Sequence, residues 1–197
     1  MSQIVIEVGA NKGTDTVKFL DAGDIVYAFE PTPELILELK NKFKQYSNYK
    51  PVNLAVDTVN GWSWFNIAGQ HDWGCSSLHD FNPNIHAEWT ERPDFKFTDR
   101  CQVQTIRLDD FMTLYGIQTV DYLWVDAQGN DFRVLQSLGQ KIFLVKAGRC
   151  EAADTVNLYT NVDNTKESIG SWLENQGFEI CVDCYNGKEA DIHFLRR

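Results

Sequence analysis

The chain has 197 residues and a formal net charge of −10 at pH 7, and a chain of this length can bury a core that needs no disulfides. The acidic balance disfavours a nucleic-acid groove or an anionic membrane surface as the main partner and favours a small ligand or a neutral substrate. No apolar run approaches the roughly 18 residues of a membrane span, and the N-terminus shows no signal-peptide pattern. We therefore expect a soluble cytoplasmic protein, folded as a single domain over residues 1–197.

Five cysteines are an odd number for a disulfide framework, so reduced thiols are expected. Cys181 and Cys184 have C-x-x-C spacing, which occurs in redox and metal sites. They lie in a segment typical of a strand entering a hairpin, whereas a redox pair opens a helix and a zinc site needs a second close pair. We therefore favour a purely structural interpretation of this pair.

The first third of the chain alternates strands with helices. Residues 4–8 (IVIEV) predict a strand that breaks into a glycine turn and then a helix, and residues 24–30 (DIVYAFE) predict a second strand. A helix over residues 31–44 and a strand over 50–56 follow. The β-α-β-α-β order predicts a parallel sheet with helices on both faces.

The middle of the chain is less regular. Asn60-Gly61 stands between two β-rich runs and predicts a hairpin. Residues 69–99 are polar and aromatic with little periodicity, which predicts a long loop. A loop of this length in a compact domain is typically a lid or a substrate-binding segment, or else disordered. A strand over 101–108 and a short helix over 109–116 resume the regular pattern.

The last third predicts the remainder of the sheet. A buried strand over residues 119–126 ends at Asp126, and a further strand lies within 144–153. An amphipathic helix over 164–177 then precedes two strands joined at Asn186-Gly187. This hairpin predicts that the last strand runs antiparallel to its neighbour.

The first strand ends in a G-x-x-x-G turn made by Gly9 and Gly13. A strand, a glycine turn and a helix in this order aim backbone N–H groups at a charged ligand, although two such glycines also serve any tight turn that needs positive φ. The middle glycine of the dinucleotide pattern G-x-G-x-x-G is missing. Glu7, just before the turn, would repel a pyrophosphate and attract the ammonium and sulfonium groups of S-adenosylmethionine.

Glu30 ends the second strand, where a carboxylate can accept hydrogen bonds from both hydroxyls of a ribose. Its alternative role is to cap the following helix or to lie in solvent. The glycine turn, the two acids and the terminal hairpin together indicate a class I methyltransferase. The predicted fold is therefore α/β and Rossmann-like: a seven-stranded, mostly parallel sheet with an antiparallel last strand and helices on both faces.

Five segments, EVGANKG, AFEPTPE, NLAV, IRLDDFM and VDYLWVDAQGNDFRVLQSL, resemble the FkbM family of S-adenosylmethionine-dependent methyltransferases in order and approximate spacing. The resemblance implies an enzyme that methylates a hydroxyl oxygen on a sugar, a glycan or a related small molecule. The cofactor-binding residues that it indicates are Glu7, Gly9, Ala10, Asn11, Gly13, Glu30, Pro31, Asn53, Ala55 and Asp126. Trp124 and Gln128 stand where many relatives carry lysine and glutamate, so a role that needs a charge at position 128 is not implied.

Methyl transfer to a hydroxyl needs a general base or a divalent metal, because a sugar hydroxyl is a weak acid. Asp126 is the candidate base, since it ends a strand at the edge of the sheet where ligands bind. Asp126 and Glu151 could share Mg²⁺, or one of these acids could cap a helix or bind water only. Among the histidines of the loop, His86 is the second catalytic candidate, although for each of these histidines we favour the interpretation as an ordinary loop residue.

Two other functions remain open at this point. An NAD-linked oxidoreductase and a catalytically silent nucleotide-binding module can both use this type of sheet. The chain carries no pattern that specifies the methyl acceptor or the oligomeric state.

Overall fold

The computed structural model describes residues 2–69, 73–93, 95–185 and 187–197. Within these ranges the strands are β1 (Ile4–Val8), β2 (Ile25–Phe29), β3 (Tyr49–Val52), β4 (Ala55–Val56), β5 (Gly61–Ile67), β6 (Asp99–Ile106), β7 (Val120–Val125), β8 (Val145–Ala153), β9 (Phe178–Tyr185) and β10 (Glu189–Arg196). The α-helices are α1 (Thr16–Asp21), α2 (Pro33–Lys42), α3 (Ile85–Glu88), α4 (Leu108–Leu114), α5 (Asp131–Gln136) and α6 (Lys166–Asn175).

Seven of these strands form the main sheet in the order β3-β2-β1-β7-β8-β10-β9. The first five are mutually parallel, whereas β10 pairs antiparallel with both β8 and β9. The predicted α/β fold with an antiparallel last strand is therefore confirmed. Of the two residues predicted to turn the terminal hairpin, Asn186 lies outside the described residues and Gly187 has φ of +68°.

Helices cover both faces of the main sheet, as predicted. On one face, α1 and α2 pack on β1 and β2 through a cluster that includes Leu20, Leu39 and Val26. On the other face, α4, α5 and α6 contribute apolar side chains such as Phe111 and Leu173 to the larger cluster. Burial of these side chains supplies the main stabilisation of the sheet. No helix among the described residues is long and apolar enough to cross a membrane.

The hairpin predicted at Asn60-Gly61 is wrong. β4 and β5 do not pair with each other, because β6 lies between them in a separate three-stranded sheet of order β4-β6-β5. The predicted strand 50–56 is also divided, since β3 joins the main sheet and β4 joins the small one. Asn60 instead accepts a hydrogen bond from Arg107 N at 2.7 Å, which ties the turn to the end of β6.

Much of the segment predicted as a long loop is folded. It contains a 3-10 turn at Trp73–Cys75 and the helix α3. Ile85, Trp89 and Phe95 are buried in a small apolar cluster of their own. Phe81 stacks on Tyr159, with ring centroids 5.4 Å apart, which attaches the segment to the main body. All five cysteines lie in the described ranges, and none of them forms a disulfide.

Candidate active site

A cleft with about 660 Å³ of empty volume lies at the carboxyl ends of β1, β2 and β7. This is the edge at which open α/β sheets bind ligands. Its walls come from the turn after β1, the segment after β2, the β4 region, the inner face of β5, residues 74–78 and the turn after β7. The lining residues are Val8, Gly9, Asn11, Phe29, Glu30, Pro31, Thr32, Leu54, Ala55, Val56, Phe65, Gly74, Ser76, Leu78, Asp126, Ala127, Gln128 and Asn130.

Close packing requires glycine at positions 9 and 13 of the turn after β1. Gly9 has φ of +91°, and a Cβ at this position would lie 1.9 Å from the backbone oxygen of Asp126. A Cβ on Gly13, at φ of +69°, would lie 2.5 Å from the Phe43 ring. The N–H groups of Gly9 and Ala10 both donate to the backbone oxygen of Phe29. The turn therefore brings strands together, and these two N–H groups are bonded within the fold rather than aimed at a ligand.

Glu30 is buried at the end of β2 and lines the cleft. Its two carboxylate oxygens accept hydrogen bonds from Asn11 N and Thr32 N, each at 2.8 Å. Burial raises the pKa of Glu30 to about 7, and these backbone donors oppose that rise. These hydrogen bonds fix the carboxylate at the cleft wall, and a carboxylate has more acceptor positions than these donors occupy.

Asn11 carries an acceptor atom that the fold does not use. Its Oδ1 is buried and has no hydrogen-bond partner among the described residues. A buried polar atom without a partner costs free energy, so such an atom in a cleft marks a contact that a ligand can complete. Asn11 also has φ of +48°, a conformation that its N–H bond to Glu30 supports.

The side of the cleft formed by the β4 region and β5 is apolar. Leu54, Ala55, Val56 and Phe65 line it, and Phe65 reaches it from the inner face of β5. Asn53 is exposed and does not line the cleft. Its side-chain amide donates to the backbone oxygens of Glu30 and Pro31 at 2.9 and 3.0 Å. Asn53 therefore holds the turn after β2 in place.

Glu7 is buried beneath the glycine turn and does not line the cleft. Its carboxylate accepts a hydrogen bond from the Thr16 hydroxyl at 2.7 Å, which attaches the first turn of α1 to β1. Burial raises the pKa of Glu7 to about 7. Glu7 can therefore affect a cationic ligand only through its field, in proportion to its ionised fraction.

Asp126 and Glu151 are joined by the side-chain amide of Gln128. The Gln128 Nε2 lies 2.7 Å from Asp126 Oδ1 and 3.1 Å from Glu151 Oε2, and donates to both. The Tyr159 hydroxyl lies 2.8 Å from Gln128 Oε1 and 2.9 Å from the backbone oxygen of Cys75. Ser77 donates to the Gln128 backbone oxygen at 2.7 Å, at a residue with φ of +50°. The amide is therefore held at both ends.

Burial raises the pKa of both Asp126 and Glu151. The Gln128 amide and the Arg149 guanidinium oppose the rise at Asp126, whereas the negative charge of Asp126 adds to the rise at Glu151. Asp131 is fully buried nearby, and its pKa is raised to about 7, mainly by burial. Two neighbouring carboxyl groups in such a site do not readily ionise together. The Asp126–Glu151 pair therefore binds a proton more tightly than two isolated acids would.

The predicted Mg²⁺ site does not fit this arrangement. The atom between the two carboxylates is the Gln128 Nε2, whose hydrogens point at the oxygens that a cation would use. Across the described ranges, no group of three or more His, Cys, Asp or Glu side chains is placed to hold a metal ion. The amide donates to one oxygen of each acid and occupies the position between them that a shared cation would take.

A family model described as the methyltransferase FkbM domain matches residues 7–180. The chain belongs to the FkbM methyltransferase family. The resemblance found in the sequence is thereby confirmed, and the comparisons give no support to an NAD-linked oxidoreductase.

Known proteins similar to this FkbM domain include the 2-O-methyltransferase NoeI of Sinorhizobium fredii, which is 23% identical over 137 residues. That match covers 67% of this chain and 56% of NoeI, so the chain spans about half the length of this curated relative.

Solved structures with the same fold include fibrillarin of Aeropyrum pernix with bound S-adenosyl-L-methionine. Its TM-score is 0.54 and its identity 14%, over 98% of this chain and 66% of that one. Magnesium protoporphyrin IX methyltransferase of Synechocystis PCC 6803 with bound SAM has a TM-score of 0.53 and 11% identity, over 100% and 71% of the two chains. At these identities the likeness shows the fold.

The FkbM domain brings six of the predicted cofactor-binding residues to the cleft. These are Gly9, Asn11, Glu30, Pro31, Ala55 and Asp126. Four others, Glu7, Ala10, Gly13 and Asn53, support the cleft from outside its lining. Glu151, predicted as a metal ligand, contacts the cleft residue Gln128.

His86, the second catalytic candidate, lies exposed on α3 and is not among the lining residues. His79 is instead the loop histidine that contacts a lining residue, with Nε2 2.8 Å from Asn130 Oδ1. Burial lowers the pKa of His79 and favours its neutral form. His71 lies outside the described residues.

Gln128 and Tyr159 belong to one hydrogen-bond network of the FkbM site that was not predicted from the sequence. Gln128 drew notice only as a departure from a charged family position. Tyr159 carries no local sequence signal, because its hydroxyl reaches Gln128 across 31 positions of the chain. Trp124, the other departure, is contacted by two cations, with Lys18 Nζ 3.4 Å and Arg149 Cζ 4.4 Å from its ring.

Proposed function

We propose that this chain transfers a methyl group from S-adenosylmethionine to a hydroxyl oxygen of a sugar or glycan. The observation that carries the proposal is the placement of Asp126 in the same cleft as Glu30 and the unbonded Asn11 oxygen. Membership of the FkbM family and the likeness to a 2-O-methyltransferase support both the reaction type and the cofactor.

The cleft residues suit the parts of the cofactor. The free lone pairs of Glu30 can accept hydrogen bonds from ribose hydroxyls, since its two oxygens are already oriented by backbone donors. Asn11 Oδ1 can accept a hydrogen bond from an ammonium or hydroxyl group. Leu54, Ala55 and Val56 offer an apolar wall for a planar base. When bound, the cofactor supplies an electrophilic methyl group on a sulfonium.

Asp126 is placed to accept the proton of the acceptor hydroxyl. It lines the cleft, and the Gln128 amide orients its Oδ1. In-line displacement leaves that proton on the acceptor oxygen unless a base removes it, so the carboxylate of Asp126 takes the proton as the O–CH₃ bond forms. Glu151, held by the same amide, shares the charge balance of the pair.

Two measurements test the proposal. Calorimetric titration of the purified chain with S-adenosylmethionine, S-adenosylhomocysteine and NAD should give binding of the first two and none of NAD. Transfer of a labelled methyl group to a panel of sugars and glycans should give a product that is stable to base, as an ether is and an ester is not. Binding of NAD alone contradicts the cofactor assignment, and a base-labile product contradicts the acceptor assignment.

A further inference from the structure

The outer face of the small sheet carries two exposed tryptophans. Trp62 and Trp64 alternate along β5 with Phe65 and Ile67, which are buried on the inner face. The side chains of Trp62 and Trp64 are 67% and 48% exposed. Two large aromatic side chains on the same face of one strand and left in solvent mark a candidate binding surface.

Polar side chains flank these tryptophans in a regular register. Gln104 pairs with Trp62 and Gln102 with Trp64 across the antiparallel β5–β6 ladder. Both glutamines are exposed, and the guanidinium of Arg100 lies 4.9 Å from the centre of the Trp64 ring. We call these residues, Trp62, Trp64, Arg100, Gln102 and Gln104, the tryptophan platform. It contains no carboxylate, although the chain as a whole has a net charge of −10.

We propose that the tryptophan platform binds neutral pyranose rings of an oligosaccharide acceptor, outside the ring that is methylated. The acceptor class rests on the function proposed above. A pyranose has an apolar C–H face that can stack on an indole, and its hydroxyls need both donors and acceptors. The two glutamine amides supply both kinds of group, and Arg100 supplies further donors. The two indoles, about 7 Å apart along the strand, can contact successive rings.

The platform and the cleft are two sides of one strand. Phe65, next to Trp64 in sequence, lines the cleft from the inner face of β5. Asn66 then pairs with Ser77 through two backbone hydrogen bonds of 2.8 and 3.0 Å, and the adjacent Ser76 lines the cleft. The platform and the cleft wall are therefore on opposite faces of β5, and because β5 is at the edge of the small sheet, an acceptor of several sugar rings would have to pass around this strand to contact both.

Binding can be measured without any methyl transfer. Cellohexaose, xylohexaose, maltohexaose and chitohexaose are titrated into the cofactor-free protein, with heat and tryptophan fluorescence as readouts. We expect at least one of these hexasaccharides to bind. Trp62→Ala and Trp64→Ala should each raise its Kd about 10-fold, equivalent to about 1.4 kcal/mol of stacking. Trp62→Tyr should keep binding within about threefold, because an aromatic face remains. Leu114→Ala, at a side chain that is 74% exposed on α4, is the matched control and should leave Kd unchanged.

Three results would overturn the platform: no binding of any of the four hexasaccharides, binding that survives Trp62→Ala and Trp64→Ala together, or a wild-type dimer that these substitutions dissociate in sedimentation velocity. The last result would make the platform a subunit interface.

Kinetics separate this inference from the proposed reaction. Trp62→Ala and Trp64→Ala should raise KM for an oligosaccharide acceptor and leave kcat/KM for the corresponding monosaccharide unchanged. Hexasaccharide binding at the platform without methyl transfer would refute the function and retain the platform as a binding site. Methyl transfer to sugars with equal KM in wild type and in both variants would retain the function and refute the platform.

Discussion

The Tyr159 hydroxyl lies 2.8 Å from the side-chain oxygen of Gln128, at the end of the amide opposite to the two acids. With the oxygen held by Tyr159, the amide nitrogen points at Asp126 and Glu151 and donates to both. A glutamate at position 128 could still accept a hydrogen bond from Tyr159, but its carboxylate has no N–H to donate to Asp126 and Glu151 and would add a third acidic group beside them. The family position that often carries glutamate is therefore a neutral bridge in this chain.

The substitution Gln128→Glu tests the role of this neutral bridge by its effect on thermal stability. The new carboxylate would be placed beside two acids whose pKa values burial already raises, so its charged form is disfavoured. We expect the melting temperature to fall more at pH 8 than at pH 5.5, where the added group is more often protonated. Differential scanning calorimetry at the two pH values measures the effect, and Gln118→Glu at an exposed position is the control. An equal loss at both pH values would contradict the charge argument.

Substitution Asp126→Asn tests the proton acceptor. Removing a general base typically costs a factor of 10² to 10⁴, so we expect kcat to fall about 100-fold or more. The Kd for S-adenosylhomocysteine should stay within about threefold, because an amide oxygen still accepts the Gln128 hydrogen bond. Single-turnover kinetics and calorimetry give the two values, with Asp163→Asn at an exposed position as the control. Unchanged turnover would remove Asp126 from the mechanism.

Burial of Glu7 and Glu30 predicts how stability depends on pH. Each has a pKa near 4.5 when unperturbed and about 7 in the fold. Between these values the folded chain binds more protons than the unfolded chain, so the free energy of unfolding falls as pH rises through this window and levels off above it. Each carboxyl can contribute on the order of 3 kcal/mol. Urea unfolding of the cofactor-free protein should therefore give lower stability at pH 8 than at pH 5.

The variant Glu7→Gln tests whether titration of the buried Glu7 carboxyl causes this pH dependence. The variant keeps an oxygen that can accept the Thr16 hydrogen bond and removes the titrating group. Its stability should depend less steeply on pH between 5 and 7 than that of the wild type, whereas Glu38→Gln, at an exposed position, should not change the slope. Stability that rises from pH 5 to pH 8 in the wild type would refute the role of burial.

The parts of the fold that could be predicted from the sequence depend on local patterns. Apolar runs and glycine stops located the strands of the main sheet, and the parallel order followed from alternation with helices. The small sheet was missed because β4 and β6 pair across about 50 positions of the chain. At Asn60-Gly61 the local hairpin signal was strong, but β6 offers both flanking strands a pairing edge, and this tertiary pairing prevailed.

The candidate site also contains some residues that could be predicted from local patterns and others that could not. Glu30 and Asp126 were found because the carboxyl ends of parallel strands meet at one edge of a sheet. The contacts of Tyr159 and Ser77 with Gln128 depend on how the segment after β5 folds back over the cleft. Little periodicity marks that segment, and its buried Ile85 and Trp89 are anchored by non-local packing that sequence patterns do not encode.

Gly9 and Gly23 provide a matched test of why the turn after β1 needs glycine. Both have strongly positive φ, +91° and +85°, so alanine at either position carries a backbone strain of about 1–2 kcal/mol. A Cβ on Gly23 meets nothing within 4 Å, whereas one on Gly9 would lie 1.9 Å from the Asp126 backbone oxygen. Gly9→Ala must therefore push apart the ends of β1 and β7, on which the cleft is built.

We expect Gly23→Ala to lower the free energy of unfolding by about 1–2 kcal/mol and to leave binding of S-adenosylhomocysteine unchanged. Gly9→Ala should cost at least about 2 kcal/mol more, because overpacking adds to the same backbone strain. It should also weaken S-adenosylhomocysteine binding about 10-fold or more, since Gly9 and Asp126 both line the cleft. Urea unfolding and calorimetry compare the two variants directly. Equal losses of stability would show that positive φ alone accounts for the glycine, and that the approach of β1 to β7 does not.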